Sequence, residues 1–360
     1  MSLSILSIGT ATPNYSISQD RAATIAKKFC SRNEKESTLL DTLYRRTRIE
    51  KRGSVLLQEE NETLPQHSFF SQDFEKSLSG PTTAARMEYF EKEALPLALR
   101  ASQKALLESG LSPAKITHLI TVSCTGFAAP GVDIALIKNL GLKSSVARTH
   151  IGFMGCHGAF NGLRIAQAIS ESSPEAKILL CAYELCSLHF HFGWDPEKMV
   201  ANGLFADGAG AFAASQEPSP FWKLVTTGSY LFPNSEDAMT WKISDHGFKM
   251  TLSSQVPTLI KTHLKGWLEN WLKENQLKLS DIHSWAIHPG GPRILDTVRE
   301  SLDLSKEATA LSEKILAEHG NMSSATILFI LKNLWEENAP RPCVALGFGP
   351  GLALEAALLV

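Results

Sequence analysis

Apolar residues along the chain fall into two alternating rhythms. Short, nearly continuous apolar runs occur at 3–9 (LSILSIG), 116–124 (ITHLITVSC), 177–185 (KILLCAYEL), 209–215 (AGAFAAS), 222–231 (WKLVTTGSYL), 284–288 (SWAIH), 343–349 (CVALGFG) and 352–360 (LALEAALLV). Runs of this length fit strands buried on both faces. Between them lie longer stretches with helical periodicity at 89–110, 161–172, 256–275 and 323–338. Strands alternating with helices predict a layered α/β fold. Residues 54–85 are polar and weakly patterned, which predicts an irregular surface excursion.

The pattern repeats once. ALLESGLSPAKITHLITVSC and WLKENQLKLSDIHSWAIHPG each read as amphipathic helix, Leu-Ser, short polar step and buried strand. That echo predicts two duplicated halves, which would bring the ends of equivalent strands together at the centre. QEPSPF at 216–221 marks the boundary, giving halves 1–218 and 219–360.

Composition is that of an ordinary globular protein: 360 residues, 44% hydrophobic and 20% charged. A formal net charge of −2 gives no global basic field, so no nucleic-acid partner is expected, and an anionic ligand must be held by a local patch. The apolar stretches are too short for a membrane span, and the N-terminus does not read as a signal peptide. Six scattered cysteines show no C-x-x-C spacing, which predicts reduced thiols in the cytoplasm and no sugar on Asn14, Asn61 or Asn321.

Candidate chemistry begins in HIGFMGCHGAF at 150–160. Cys156 follows a tight turn and opens a helix, where free N–H groups favour a thiolate. A small buried cysteine fits the same spot. His157 is adjacent in the chain, but neighbours on a helix point about 100° apart, so it makes a poor base for Cys156. A structural or supporting role suits it better.

His288, in SWAIHPGGPRIL, ends a buried strand, where α/β sheets bind ligands. Capping the strand is the plainer reading. Asn321, in HGNMSSATILFIL, stands at an N-cap position and could also donate to an oxyanion. His319 is a weaker base. LGFGPG at 346–351 lets backbone approach a ligand closely, though no helix follows to hold a phosphate. In HFHFGW, an extended chain would put His189 and His191 on one face, but no third ligand is apparent and no metal is expected.

Taken in order, Cys156 in GFMGCHGAFNGL, Phe205 in LFADGAGA, His288 in HPGGPRILD, Asn321 in GNMSSATILFIL and GFGPG at 347–351 resemble the type III polyketide synthases. These form the chalcone synthase-like family of the thiolase superfamily. The resemblance covers essentially the whole chain. FMGC and WKISDHGFKM are more similar to bacterial members than to plant ones.

The resemblance implies a five-layered αβαβα thiolase fold and a homodimer. Cys156 would carry the starter and growing chain as a thioester. His288 would pair with it, and His288 and Asn321 would hold the enolate formed when malonyl-CoA loses carbon dioxide. Phe205 would gate the cavity. Gly347, Phe348, Gly349, Pro350 and Gly351 would shape its floor, with Ser323 nearby. Acyl-CoA and malonyl-CoA would be the substrates, with no metal or redox cofactor. Their phosphates would meet Arg45, Arg46, Arg48 and Arg293.

Departures from plant members are Ala129 in place of a methionine, Cys124 and Cys186 in place of threonines, and Met250 in place of a phenylalanine. Such a lining predicts an aliphatic starter and a pyrone or resorcinol product. The rivals are a β-ketoacyl synthase of the initiating kind, fed by acyl carrier protein, a Cys-His hydrolase, and a non-catalytic scaffold.

Overall fold

A computed structural model describes residues 3–61, 68–71 and 79–360. The first strand, β1 (Leu3–Ala11), lies near the middle of a nine-stranded sheet. To one side of it run β7 (Asp207–Ser215), β6 (Ile178–Leu185), β4 (His118–Ser123) and β5 (Ala147–Gly152). To the other run β8 (Trp222–Leu231), β13 (Ala353–Leu359), β12 (Cys343–Gly349) and β11 (Ser284–Ile287).

The duplication is visible in the pairing. β4 is parallel to β6, β6 antiparallel to β7, and β7 antiparallel to β1. β11, β12, β13 and β8 repeat those three pairings in the same order and sense, without a counterpart of β5 among the described residues. The halves join where Leu3, Ser4 and Ile5 pair with Leu224, Lys223 and Trp222.

Three apolar cores separate the layers. The outer core of the first half lies under the long helix α3 (Thr83–Ser109), together with α1 (Gln19–Cys30), α2 (Glu34–Arg46) and α4 (Val132–Leu140). Gly9 allows α3 its close approach, because a Cβ there would overlap the Ala101 carbonyl. The outer core of the second half lies under α7 (Val256–Glu274) and α8 (Pro292–Ser301).

Between the two halves of the sheet lie α5 (Gly158–Ser172) and α10 (Thr326–Glu336), which share the central core. The first six residues of α10, Thr326 to Leu331, are all buried, as a helix enclosed on every side requires. Leu328 packs against Gly210 of β7. Leu328→Ala at that contact costs about 2–5 kcal/mol. The layers are thus αβαβα, the thiolase-like arrangement that the resemblance implied.

Several boundaries differ from expectation. The predicted helix 323–338 starts as a 3-10 turn over Ser323–Ala325 and becomes α-helical only at Thr326. The stretch 54–85 is not simply a surface excursion: Leu56 and Phe69 are buried in the first outer core. The rest of its centre, 62–67 and 72–78, lies outside the described residues. Two helices of the second half, α8 and α9 (Lys306–His319), occupy a stretch with no earlier helical expectation.

Candidate active site

Cys156 sits on a 3-10 turn, Gly155–His157, between β5 and α5. Gly155 has φ +75°, and a Cβ there would lie 2.5 Å from Cδ of Pro350. Only glycine lets the turn close against the loop after β12. Cys156 is 7% exposed and accepts from the Ser323 hydroxyl at 3.6 Å.

Burial pushes the Cys156 thiol up to about 11, while Ser323, Asn321 and its own N–H pull it back and Glu184 pushes it up further. The expectation that the helix end would lower its pKa is therefore corrected. The N-terminal field acts through a short 3-10 turn, and desolvation of the thiolate outweighs it. A proton acceptor must come from another side chain.

His288 follows β11, and its N–H donates to the Leu346 carbonyl of β12 at 2.8 Å. It is fully buried, and neither ring nitrogen has a hydrogen-bond partner. Burial, and after it the neighbouring His157, brings the imidazole down to about 3. The resting ring is neutral.

Asn321 lies between α9 and the 3-10 turn of Ser323. Its backbone is tied to the segment around Phe205: its N–H donates to the Leu204 carbonyl, and the Ala206 N–H donates to its carbonyl, both at 2.9 Å. Its Oδ1 accepts from the Ser323 N–H at 2.8 Å. The amide oxygen is thus occupied, and the buried Nδ2 has no partner. The predicted N-cap and oxyanion donor are two ends of one amide.

Phe205 ends α6 (Pro196–Leu204), a helix started by Asp195, which accepts from the N–H groups of Glu197 and Lys198. Phe205, Cys156, Cys124, Cys186, Met250, Ser323 and Pro350 all line a cavity of about 130 Å³. His288 and Asn321 are fully buried and do not line it. Of the predicted GFGPG floor, only Pro350 reaches the cavity. Gly347 packs on Phe160, Gly349 packs on His157, Phe348 belongs to the outer core, and Gly351 abuts Leu231. The alternation of β12 sends Phe348 away from the site and gives the glycines to the central helices.

Glu184 and Trp241, which sequence reasoning did not single out, and His189, weighed there only as a metal ligand, support the site. Glu184, buried in β6, accepts from the Cys124 N–H at 3.0 Å, from Thr125 Oγ1 at 2.8 Å and from the Ser324 hydroxyl. It fixes the turns that carry Cys124 and Ser323, whose side chains meet at 3.2 Å. A lone acid inside the apolar run KILLCAYEL was its signal.

His189 ends a 3-10 turn, not a strand. One nitrogen bonds the Thr125 carbonyl at 2.7 Å, the other the Phe248 N–H at 3.0 Å, and the ring stacks on Phe248 at 4.1 Å. Both nitrogens are committed. Trp241 stands edge-on to His189 and donates to the Cys124 carbonyl at 2.7 Å. Among the described residues no group of three metal-ligating side chains forms.

The four arginines assigned to phosphate are exposed and none lines the cavity. Arg48 is engaged with Asp296 at 3.0 Å, and Arg45 contacts the Asp41 carbonyl. Since Asp296 and Arg293 share α8, the Arg48 contact brings that helix beside the basic run. Three cations line the cavity, Lys198, Lys249 and Arg52, the last from the end of the same run. The Arg52 Nη1 donates to the carbonyls of Asn202 and Phe205, both at 2.6 Å.

A thiol, an imidazole and an amide at the centre of a duplicated αβαβα body define a condensing enzyme of the thiolase type. The family model for chalcone and stilbene synthases, N-terminal domain, matches residues 2–218, and that for their C-terminal domain matches 223–360. The chain belongs to the chalcone and stilbene synthase family and is a type III polyketide synthase, an acyltransferase.

It is 33% identical over 363 residues to the alpha-pyrone synthesis polyketide synthase-like Pks18 of Mycobacterium tuberculosis, covering 98% of this chain and 89% of that protein. It is 29% identical to the probable polyketide synthase 1 of Dictyostelium discoideum, matching 99% of this chain but 11% of that much longer protein. Among solved structures, the C-terminal type III domain of Steely1 from Dictyostelium superposes with a TM-score of 0.91 at 28% identity, covering 100% of this chain and 99% of that one. PKS-I of the brown alga Ectocarpus siliculosus also gives 0.91, at 30% identity, with 99% and 98% covered.

Proposed function

We propose that this polyketide synthase loads an aliphatic acyl group from acyl-CoA onto Cys156, extends it with malonyl-CoA and cyclises the product to a pyrone or resorcinol. One observation carries the assignment of roles. The Asn321 Nδ2 and both nitrogens of His288 are buried without hydrogen-bond partners among the described residues, and polar atoms in such positions await a ligand.

The Cys156 thiolate attacks the starter carbonyl after its proton passes to His288, and the departing CoA sulfur takes that proton. Malonyl-CoA then loses carbon dioxide. The electron pair of the broken bond moves onto the thioester oxygen, held by an N–H of neutral His288 and by Asn321 Nδ2. The enolate carbon attacks the Cys156 thioester and expels the thiolate. Loss of carbon dioxide supplies the carbanion, so this chemistry calls for no metal or redox cofactor. Phe205 gates the CoA side. Arg45, Arg46, Arg48 and Arg293 bind the phosphates at the exposed rim.

The apolar lining by Ile17, Leu56, Phe190 and Met250 supports an aliphatic starter, and the name of the Pks18 relative supports a pyrone. The enzyme acts as a homodimer in the cytoplasm. β5 pairs with β4 and, among the described residues, leaves its other edge open, and Phe127 and Met154 beside it are 46% and 39% exposed, a surface that a second copy would cover.

The test is mass spectrometry of products from a panel of aliphatic acyl-CoA starters, with malonyl-CoA or malonyl-carrier protein as extender. Cyclised polyketides from malonyl-CoA are expected. Acyl-CoA hydrolysis without carbon dioxide release would overturn the reading, and a strict need for the carrier protein would favour the β-ketoacyl synthase.

A further inference from the structure

Arg86 lies in the first turn of α3 and is fully buried. Among the described residues no carboxylate pairs with it. Burial brings the guanidinium down to about 9, so it stays a cation at neutral pH. Its partners are backbone carbonyls. Nε donates to Pro81 at 2.8 Å, and Nη1 donates to Leu188 at 2.5 Å and to Phe190 at 3.0 Å. The Phe69 and Phe192 rings lie 5.1 and 5.9 Å from its Cζ. A cation taken out of water must keep such acceptors close, so the guanidinium and these carbonyls hold one another in place.

The Leu188 and Phe190 carbonyls flank His189, whose ring lines the cavity and is bonded to the Thr125 carbonyl and the Phe248 N–H. Phe248 belongs to a hairpin of β9 (Met239–Ser244) and β10 (Gly247–Leu252), a two-stranded sheet separate from the nine-stranded one. Trp241 and Met250 stand opposite each other in its register, and both line the cavity.

With no strand beside it, the hairpin is placed by contacts at its base and its tip. At the base, the Gly351 N–H donates to the Met239 carbonyl at 3.3 Å. The tip meets the start of α3. The Thr83 N–H donates to the Asp245 carbonyl and the Gly247 N–H to Thr83 Oγ1, both at 2.8 Å. The Thr83 hydroxyl donates to the Ser244 carbonyl, and His246 Nδ1 meets the Gly80 carbonyl at 3.1 Å. Gly247, at φ +91°, sits so close to the guanidinium that a Cβ there would lie 3.1 Å from the Arg86 Cζ.

We propose that Arg86 is a positioning residue for product length. With Thr83 it latches the 188–190 turn and the hairpin tip to α3, and so sets where the Trp241–Met250 wall stands relative to Cys124 and Cys156. Arg86 does not itself line the cavity and acts through His189 and the hairpin. The inference rests on the reading that the growing chain, held on Cys156, fills this cavity. The number of extensions before ring closure then depends on the wall, because a misplacement of about 1 Å changes a rate by up to about a hundredfold. Lysine cannot replace the planar fork that reaches three carbonyls at once.

The test is Arg86→Lys, which keeps the charge and loses the fork, supplied with decanoyl-CoA and malonyl-CoA. Liquid chromatography with mass detection gives the ratio of the main product to products with other numbers of extensions. Labelled carbon dioxide release is measured on the same preparation, per mole of enzyme folded by circular dichroism. The ratio should fall by about tenfold. Release should stay within about twofold of wild type, since His288 and Asn321 do not line this wall. Thr83→Val, nearly isosteric, removes only the hydroxyl of the latch and should move the ratio the same way by less.

A wild-type ratio in folded Arg86→Lys, or in Thr83→Val should the first variant not fold, overturns the inference. So does a fall in release and in all products together at an unchanged ratio, which is what a merely structural role predicts. Failure of the underlying reading appears separately, as a wild-type enzyme that forms no condensation product from these substrates.

Discussion

Phe205 and Asn321 form an isolated parallel β-bridge, so the proposed gate residue and the proposed oxyanion amide share one piece of backbone. Arg52 clamps the far side of the same segment through the carbonyls of Asn202 and Phe205. A shift of the Phe205 segment is therefore a shift of Asn321.

Arg52→Met should cost both stability and rate. It removes two charge-assisted hydrogen bonds, each worth about 1.5–3 kcal/mol, and leaves two half-buried carbonyls without that donor. The expected result is a Tm lower by several degrees and a kcat for malonyl decarboxylation lower by about tenfold or more. Thermal unfolding and labelled carbon dioxide release measure the two. An unchanged decarboxylation rate in a folded variant would separate the clamp from the chemistry.

Trp241 sets part of the cavity wall and is anchored by its bond to the Cys124 carbonyl. Trp241→Ala should enlarge the space beside Cys124 and shift the product distribution towards longer starters or more extensions. It should also destabilise the fold by about 3–5 kcal/mol if the site does not collapse. Liquid chromatography with mass detection gives the distribution, and an identical product profile would show that the Trp241 wall does not set length.

Acid should destabilise the enzyme between about pH 6.5 and 3. Burial holds His288 and His189 down to about 3 and His191 down to about 4, while the unfolded chain protonates them near 6.5. As pH falls through that window the unfolded state binds more protons, so stability is lost, by up to about 1.4 kcal/mol per pH unit for each fully buried ring.

Asp207, raised to about 6, and Glu184, also raised, act in the opposite sense between the unfolded carboxyl range and their folded values. Lowered pKa values at His118, His150, His157 and His319 add to the first group, so the net slope keeps its sign. Urea unfolding from pH 7 to pH 4 should show falling stability, with a shallower slope in His189→Asn. A flat profile would contradict it.

Much of this was legible in the chain because it is local. The apolar runs at 222–231 and 343–349 match β8 and β12 residue for residue. The helix–strand echo corresponds to α3 with β4 and α7 with β11, each joined through a 3-10 turn. The order of Cys156, Phe205, His288 and Asn321 pointed to the family. What was not legible depends on distance in space. The helix-end argument for a lowered Cys156 pKa could not weigh burial. The GFGPG loop could not show that strand alternation spends its glycines on Phe160 and His157. The Leu188 and Phe190 carbonyls that hold Arg86 come 102 and 104 positions later, and no spacing announces that contact.

The most direct measurement is release of labelled carbon dioxide from malonyl-CoA by Cys156→Ala. With the nucleophile gone but His288 and Asn321 in place, decarboxylation should continue slowly above the enzyme-free rate, while no condensation product forms. Release equal to the enzyme-free rate, from a folded variant, would contradict the assignment of the enolate to His288 and Asn321.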